Sequence, residues 1–155
     1  MAEKKQGESA RGVSVNERRR AREDAMKLLF EAMVQKPDDA DAFFHEEAGH
    51  LELKNDIAYV KTVYDGVLNH LNEIDSLIEG SSKGWKIGRI PRTGIAAMRI
   101  CVYEMKYYFE DSGESISYNI SINEAVELVK KYGEPKDRSF ANGVLNSIAE
   151  KCGLK

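Results

Sequence analysis

The chain has 155 residues, 42 % of them hydrophobic and 32 % charged, with a formal net charge of −3. That is enough apolar material for one globular domain with its own core. No apolar run reaches the roughly 20 residues a membrane helix needs, and the polar, charged opening residues exclude a secretory signal. Two distant cysteines, Cys101 and Cys152, fit a reduced, cytoplasmic protein better than a disulfide framework. Net acidity argues against nucleic-acid binding over the whole surface, but the charge is uneven. Residues 1–22 carry seven Lys or Arg against Glu3, Glu8 and Glu17, which is +4 there and −7 over the rest. A basic end on an acidic body points to one anion-binding patch and a different partner elsewhere.

Residues 1–15 are polar, contain Gly and Ser, and lack periodicity, so a disordered arm is expected ahead of a single domain over 16–155. A first helix runs from about Glu17 to Gln35, with Asn16 as its candidate cap and Ala21, Ala25, Leu28, Leu29 and Ala32 on one face. A short helix occupies 41–53. From Ile57 the apolar residues Val60, Tyr64, Val67, Leu71, Ile74 and Ile78 follow alternating steps of three and four, the seam of one long helix or two end to end, with Asn55 as the cap. The Gly-rich connector 80–91 holds the only Trp, Trp85, and Pro91 suits the first turn of the next helix. Ile95, Met98, Val102, Met105 and Phe109 step through that helix to about Asp111. Ile116, Tyr118 and Ile120 alternate, but with no partner strand in sight they read as an extended connector.

Ser121–Ile148 then reads as a helix–turn–helix hairpin. Ser121 and Glu124 have capping-box spacing, and Ile122, Ala125, Val126 and Val129 form a buried stripe. Gly133 is placed as a left-handed stop, followed by Pro135. A second helix starts near Asp137 or Ser139 and buries Ala141, Val144, Leu145 and Ile148. The whole is all-α, with six or seven helices and no sheet.

Templates for catalysis fail. His45 and His50 are five apart, whereas two ligands on one helix face need the i, i+4 spacing of HExxH. Gly80–Lys86 lacks the phosphate-loop pattern, and no GxSxG occurs. Glu104, an acid beside an apolar seam, reads as a structural acceptor or arginine partner. No enzyme, cofactor or metal site is expected. The basic residues are more informative. Cations at a helix N-terminus oppose its dipole by about 0.3–1 kcal/mol each, so Arg18, Arg19, Arg20 and Arg22 in the opening turns imply an anion such as phosphate. At the hairpin corner Lys136 and Arg138 sit between Tyr132 and Phe140, a combination suited to single-stranded RNA, whose unpaired bases stack on aromatics.

RRRARE (18–23), MRICVYEM (98–105), SINEAVELVKKYG (121–133) and SFANGVLN (139–146) together resemble the NusB family of transcription antitermination factors, in order and spacing, from Arg18 to Ile148. The resemblance implies an all-α fold of two packed helical subdomains. It implies binding to boxA-type RNA of ribosomal-RNA leader transcripts as a heterodimer with ribosomal protein S10 (NusE), and entry into an RNA polymerase antitermination complex. Carried over by position, the RNA surface comprises Arg18, Arg19, Arg20, Arg22, Tyr132, Lys136, Arg138 and Phe140, and Phe30 faces the protein partner. Pro91 and Gly94 depart from the family, whose relatives commonly start this helix regularly, with an acid near position 94. The competing reading is a helical interaction module that self-associates, as a homodimer, without specific RNA binding.

Overall fold

A computed structural model describes residues 12–155, so most of the arm expected over 1–15 lies outside the described residues. Eight α-helices follow in order: α1 (Val15–Gln35), α2 (Ala40–His50), α3 (Ile57–Asn69), α4 (Leu71–Gly80), α5 (Arg92–Lys106), α6 (Tyr108–Ser112), α7 (Tyr118–Tyr132) and α8 (Pro135–Lys151). A single 3-10 turn at Ile87–Arg89 precedes α5. No helix among the described residues is long and apolar enough to cross a membrane.

The all-α expectation holds, with one α-helix more than the six or seven expected: the first seam is two helices end to end, one of its two readings, and the second seam is interrupted as well. His70 leaves helical geometry between α3 and α4 (φ −114°, ψ 20°), and Tyr107 does the same between α5 and α6 (φ −125°, ψ −22°). Their rings stack at 3.8 Å between centroids, so the two breaks face each other. The first seam is buried at Val60, Tyr64, Val67, Ile74 and Ile78, while its opening residue, Ile57, and the last residue of the second seam, Phe109, are exposed. Apolar periodicity cannot report where a buried stripe runs out.

α5 is the shared element. Gly94 to Glu104 are buried without interruption, because α1 and α3 pack against α5 as one group with α2, and α4, α7 and α8 as another. The α3–α5 approach depends on Gly66: a Cβ there would lie 2.1 Å from a Tyr103 ring carbon.

Several helix ends differ from expectation, each for a local reason. Ser14, not Asn16, caps α1, accepting the Glu17 N–H at 3.1 Å. Asp56, not Asn55, caps α3; it takes a left-handed conformation (φ 45°) while its own N–H donates to Glu17. The capping box at Ser121 is absent. α7 begins three residues earlier, absorbing Tyr118 and Ile120 of the expected connector, and Ser121 and Glu124 turn instead to Glu104 and Arg19 on other helices. α8 starts at Pro135, whose missing N–H costs nothing at a first helical position, and Asp137 accepts the Glu134 N–H at 2.9 Å. Gly133 is extended (φ −127°), not left-handed. Glycine is favoured there for space: a Cβ would lie 2.9 Å from both the Val129 carbonyl and the Asp137 carboxylate.

Candidate nucleic-acid interface

The four N-terminal arginines divide into two kinds. Arg22 is 5 % exposed and grips Glu104 with Nε at 2.8 Å and Nη2 at 3.3 Å. Glu104 also accepts from Ser121 Oγ at 2.6 Å and from the Tyr59 hydroxyl, so one buried carboxylate on α5 ties together α1, α3 and α7. Burial works against the Arg22 charge, but attraction and hydrogen bonding to Glu104 outweigh it, and the guanidinium is held above its usual pKa. Arg18 is likewise buried. Its Nε reaches Asp56 at 2.9 Å, its Nη2 reaches Glu114 at 3.1 Å, and it lies 4.5 Å from the Tyr59 ring centroid. The expectation that all four arginines face an anion is therefore corrected for Arg18 and Arg22. Their side chains are consumed inside the domain, where removing a partner would strand a buried charge. Glu104 is the arginine partner that its place beside the seam suggested.

Arg19 and Arg20 are exposed. Arg19 makes a two-pronged contact with Glu124 of α7, at 3.0 Å from both Nε and Nη2, yet keeps half of its side chain in solvent. One turn further along α1, Glu23 makes a second bridge to α7: it accepts from Lys131 Nζ at 2.8 Å and from the Tyr132 hydroxyl. Partial burial of Glu23 opposes its ionisation, but the Lys131 and Tyr132 hydrogen bonds prevail and lower its pKa. Two cross-links, Arg19–Glu124 and Glu23–Lys131/Tyr132, thus hold α1 against α7. Lys130, Lys136 and Arg138 are exposed around the same corner.

The two aromatics do not form one platform. Tyr132 borders a cavity of about 350 Å³ with Met26, Phe30 and Leu51. Phe140 is half-buried and faces a different cleft, against Trp85 with ring centroids 5.8 Å apart. Trp85 and Glu23 are the residues that sequence reasoning did not assign. Being the only Trp, in a Gly-rich connector, was the available signal for the first; nothing local marked the second. Phe30 stands between the Tyr132 cavity and a smaller one of about 220 Å³ with Met33, Ile90 and Ile95. His45 and His50 pair separately, with Asp41 and Glu47.

Comparison with known proteins bears on the family. The chain matches the NusB family over residues 19–150. It is 40 % identical over 132 residues to the transcription antitermination protein NusB of Clostridium acetobutylicum, covering 84 % of this chain and 93 % of that one. Identity to the NusB of Ruminiclostridium cellulolyticum is 36 % over 133 residues, covering 86 % and 88 %. A crystal structure of the antitermination factors NusB and NusE in complex with dsRNA superposes with a TM-score of 0.74 at 29 % identity, covering 88 % of this chain and 98 % of that one. With the motif order, the helix arrangement and the matched span in agreement, the chain belongs to the NusB family of transcription antitermination factors.

Proposed function

We propose that this chain is a non-catalytic antitermination factor that binds boxA-type RNA of ribosomal-RNA leader transcripts together with ribosomal protein S10 (NusE). In this reading the pair acts in the cytoplasm, joins the RNA polymerase antitermination complex and suppresses premature termination. The observation that carries it is the surface where α1 meets the α7–α8 corner. Arg19, Arg20, Lys130, Lys136 and Arg138 are exposed there on a chain of net charge −3, beside a partly exposed Tyr132. A related protein in this family is described in complex with NusE and dsRNA.

The chemistry divides by residue type. Exposed guanidinium and ammonium groups neutralise phosphates and release counterions, which gives affinity without sequence preference. Tyr132 and Phe140 offer ring faces to unstacked bases, a contact available only where the RNA is single-stranded. Arg18 and Arg22 act one step removed, as the internal ties that keep α1 in place. On the protein side, Phe30 between two apolar hollows suits an apolar anchor from S10.

Filter binding of a boxA-type RNA, a scrambled strand and a duplex of the same sequence tests this. The boxA strand is expected to bind tightest and with the least loss at raised salt. Equal binding to all three, erased by salt, removes the specific reading. Light scattering then asks whether a second copy, rather than S10, covers Phe30.

A further inference from the structure

The cleft that Phe140 faces is a distinct feature. Its volume is about 460 Å³, within the range of small-ligand sites. One wall is the connector from Gly80 to Trp85. The other is a face of α8 carrying Ser139, Phe140, Gly143 and Ser147. Trp85 is 52 % exposed although it is the largest apolar side chain of the molecule, so the core does not hold it. Its ring meets Phe140 at 50° between planes, in partial contact rather than closed stacking. Lys83 lines the cleft and is exposed, as is Lys86 beside Trp85. Steps of four, three and four put Lys136 on the same α8 face as Phe140, Gly143 and Ser147. Its side chain is 81 % exposed, and its ammonium lies 3.9 Å from Glu134, which is largely solvated. The back of the cleft is fixed, since Lys151 donates to the Gly80 carbonyl at 3.1 Å and to Ser81 Oγ at 2.8 Å. Ring faces with Lys83 on one wall and Lys136 one turn before Phe140 on the helix that forms the other complement a planar base attached to a phosphate, and disfavour a basic peptide.

We propose that the Trp85–Phe140 cleft receives one unpaired base of the bound RNA strand, with Trp85 as a second stacking residue and Lys83 and Lys136 on the flanking phosphates. This rests on the RNA-binding reading above and deepens it, by giving Phe140 a partner that Tyr132 does not provide. The base contributes stacking in place of solvent on the exposed Trp85 face, a contact tolerant of base identity.

The single Trp makes the cleft directly observable. The full chain is titrated with a dye-labelled boxA-type RNA, with anisotropy reporting binding and Trp85 emission reporting the cleft. Quenching of Trp85 in step with anisotropy is expected. Trp85→Ala should weaken binding by about 5- to 150-fold, and Trp85→Phe should restore most of it. Gly143→Leu narrows the cleft from its α8 wall, at a position where an added Cβ meets nothing within 4 Å. It should reproduce the loss with helicity unchanged. Binding that leaves Trp85 emission and the Trp85→Ala affinity unchanged overturns the cleft while the RNA reading stands. A Trp85→Ala defect confined to S10 binding assigns the cleft to the protein partner and overturns it equally. Absence of RNA binding by the parent chain removes both.

Discussion

Arg22→Met separates the two roles that a cluster of arginines can have. The side chain it replaces is 5 % exposed and holds a carboxylate, Glu104, whose own side chain is 1 % exposed. In the variant Glu104 keeps only the Ser121 and Tyr59 hydroxyls as donors. Breaking a buried pair by removing one partner costs about 3–5 kcal/mol, because the remaining charge has lost its counter-charge. In a chain of this size, a kilocalorie corresponds to about 2–4 °C, so the melting temperature should fall by about 6–20 °C. Adding Glu104→Gln removes the stranded charge; the amide oxygen accepts from one hydroxyl and the amide NH2 donates to the oxygen of the other. The double variant should therefore be at least about 1 kcal/mol more stable than Arg22→Met alone, and with the Glu104→Gln single variant it closes a cycle whose coupling should fall in the range of about 0.5–3 kcal/mol for contacting residues. Urea unfolding followed by circular dichroism measures both. Below its melting temperature, Arg22→Met should keep the parent's salt slope for RNA binding, since the lost guanidinium faces no phosphate. A stability change under about 1 kcal/mol, or a folded variant whose salt slope drops by one contact, would refute the assignment of Arg22 to the interior.

Further outcomes follow from the same geometry. Arg20→Ala, Lys136→Ala and Arg138→Ala should each leave the melting temperature unchanged and reduce the slope of log K against log salt by about 0.7 per lost phosphate contact. Gly66→Ala improves helix propensity by about 1 kcal/mol, yet its Cβ would sit 2.1 Å from the Tyr103 ring. Overpacking of about 1–3 kcal/mol or more should therefore make it destabilising by thermal melting. At alkaline pH, burial, and for Tyr59 the adjacent Glu104, raise the pKa of Tyr59 well above the ordinary tyrosine value and that of Tyr64 to about 12. Both groups keep their protons longer folded than unfolded, so their contribution is fully present below about pH 10 and declines as pH rises above it. The slope is about 1.4 kcal/mol per pH unit for each retained proton. Phenolate absorbance of these two should therefore appear together with loss of helicity, and not before it.

The helical architecture was legible because each stripe repeats over many residues: Val60 to Ile78, Ile95 to Val102 and Ile122 to Val129 were read in place. Helix ends were less legible, since caps are chosen by tertiary partners. Asp56 rather than Asn55 caps α3 because Arg18 and Glu17 hold it there. Ser121 and Glu124 match a capping box in spacing, but their side chains serve Glu104 and Arg19, residues distant in sequence. The breaks at His70 and Tyr107 had no Pro or Gly to mark them, and depend on a ring stack between segments far apart in the chain.

The candidate site was legible by composition but not by exposure. At 100° per residue Arg18 and Arg22 flank the apolar face of α1. Whether such a residue turns outward to an anion or inward to a carboxylate depends on Asp56, Glu104 and Glu114, acids from elsewhere in the chain. Tyr132 and Phe140 are only eight residues apart, yet the turn at Gly133–Pro135 sends them to different hollows. Trp85 comes to Phe140 only through the packing of α4 and its connector against α8.

The central claim is that this surface reads a particular RNA strand jointly with a protein partner. The most direct measurement is the affinity for boxA-type and scrambled RNA, each with and without ribosomal protein S10, at two salt concentrations. Coupled binding predicts that S10 tightens boxA binding more than scrambled binding, and that RNA tightens S10 binding by the same factor. Affinities that are equal for the two RNAs, unaffected by S10 and abolished at the higher salt would contradict the account.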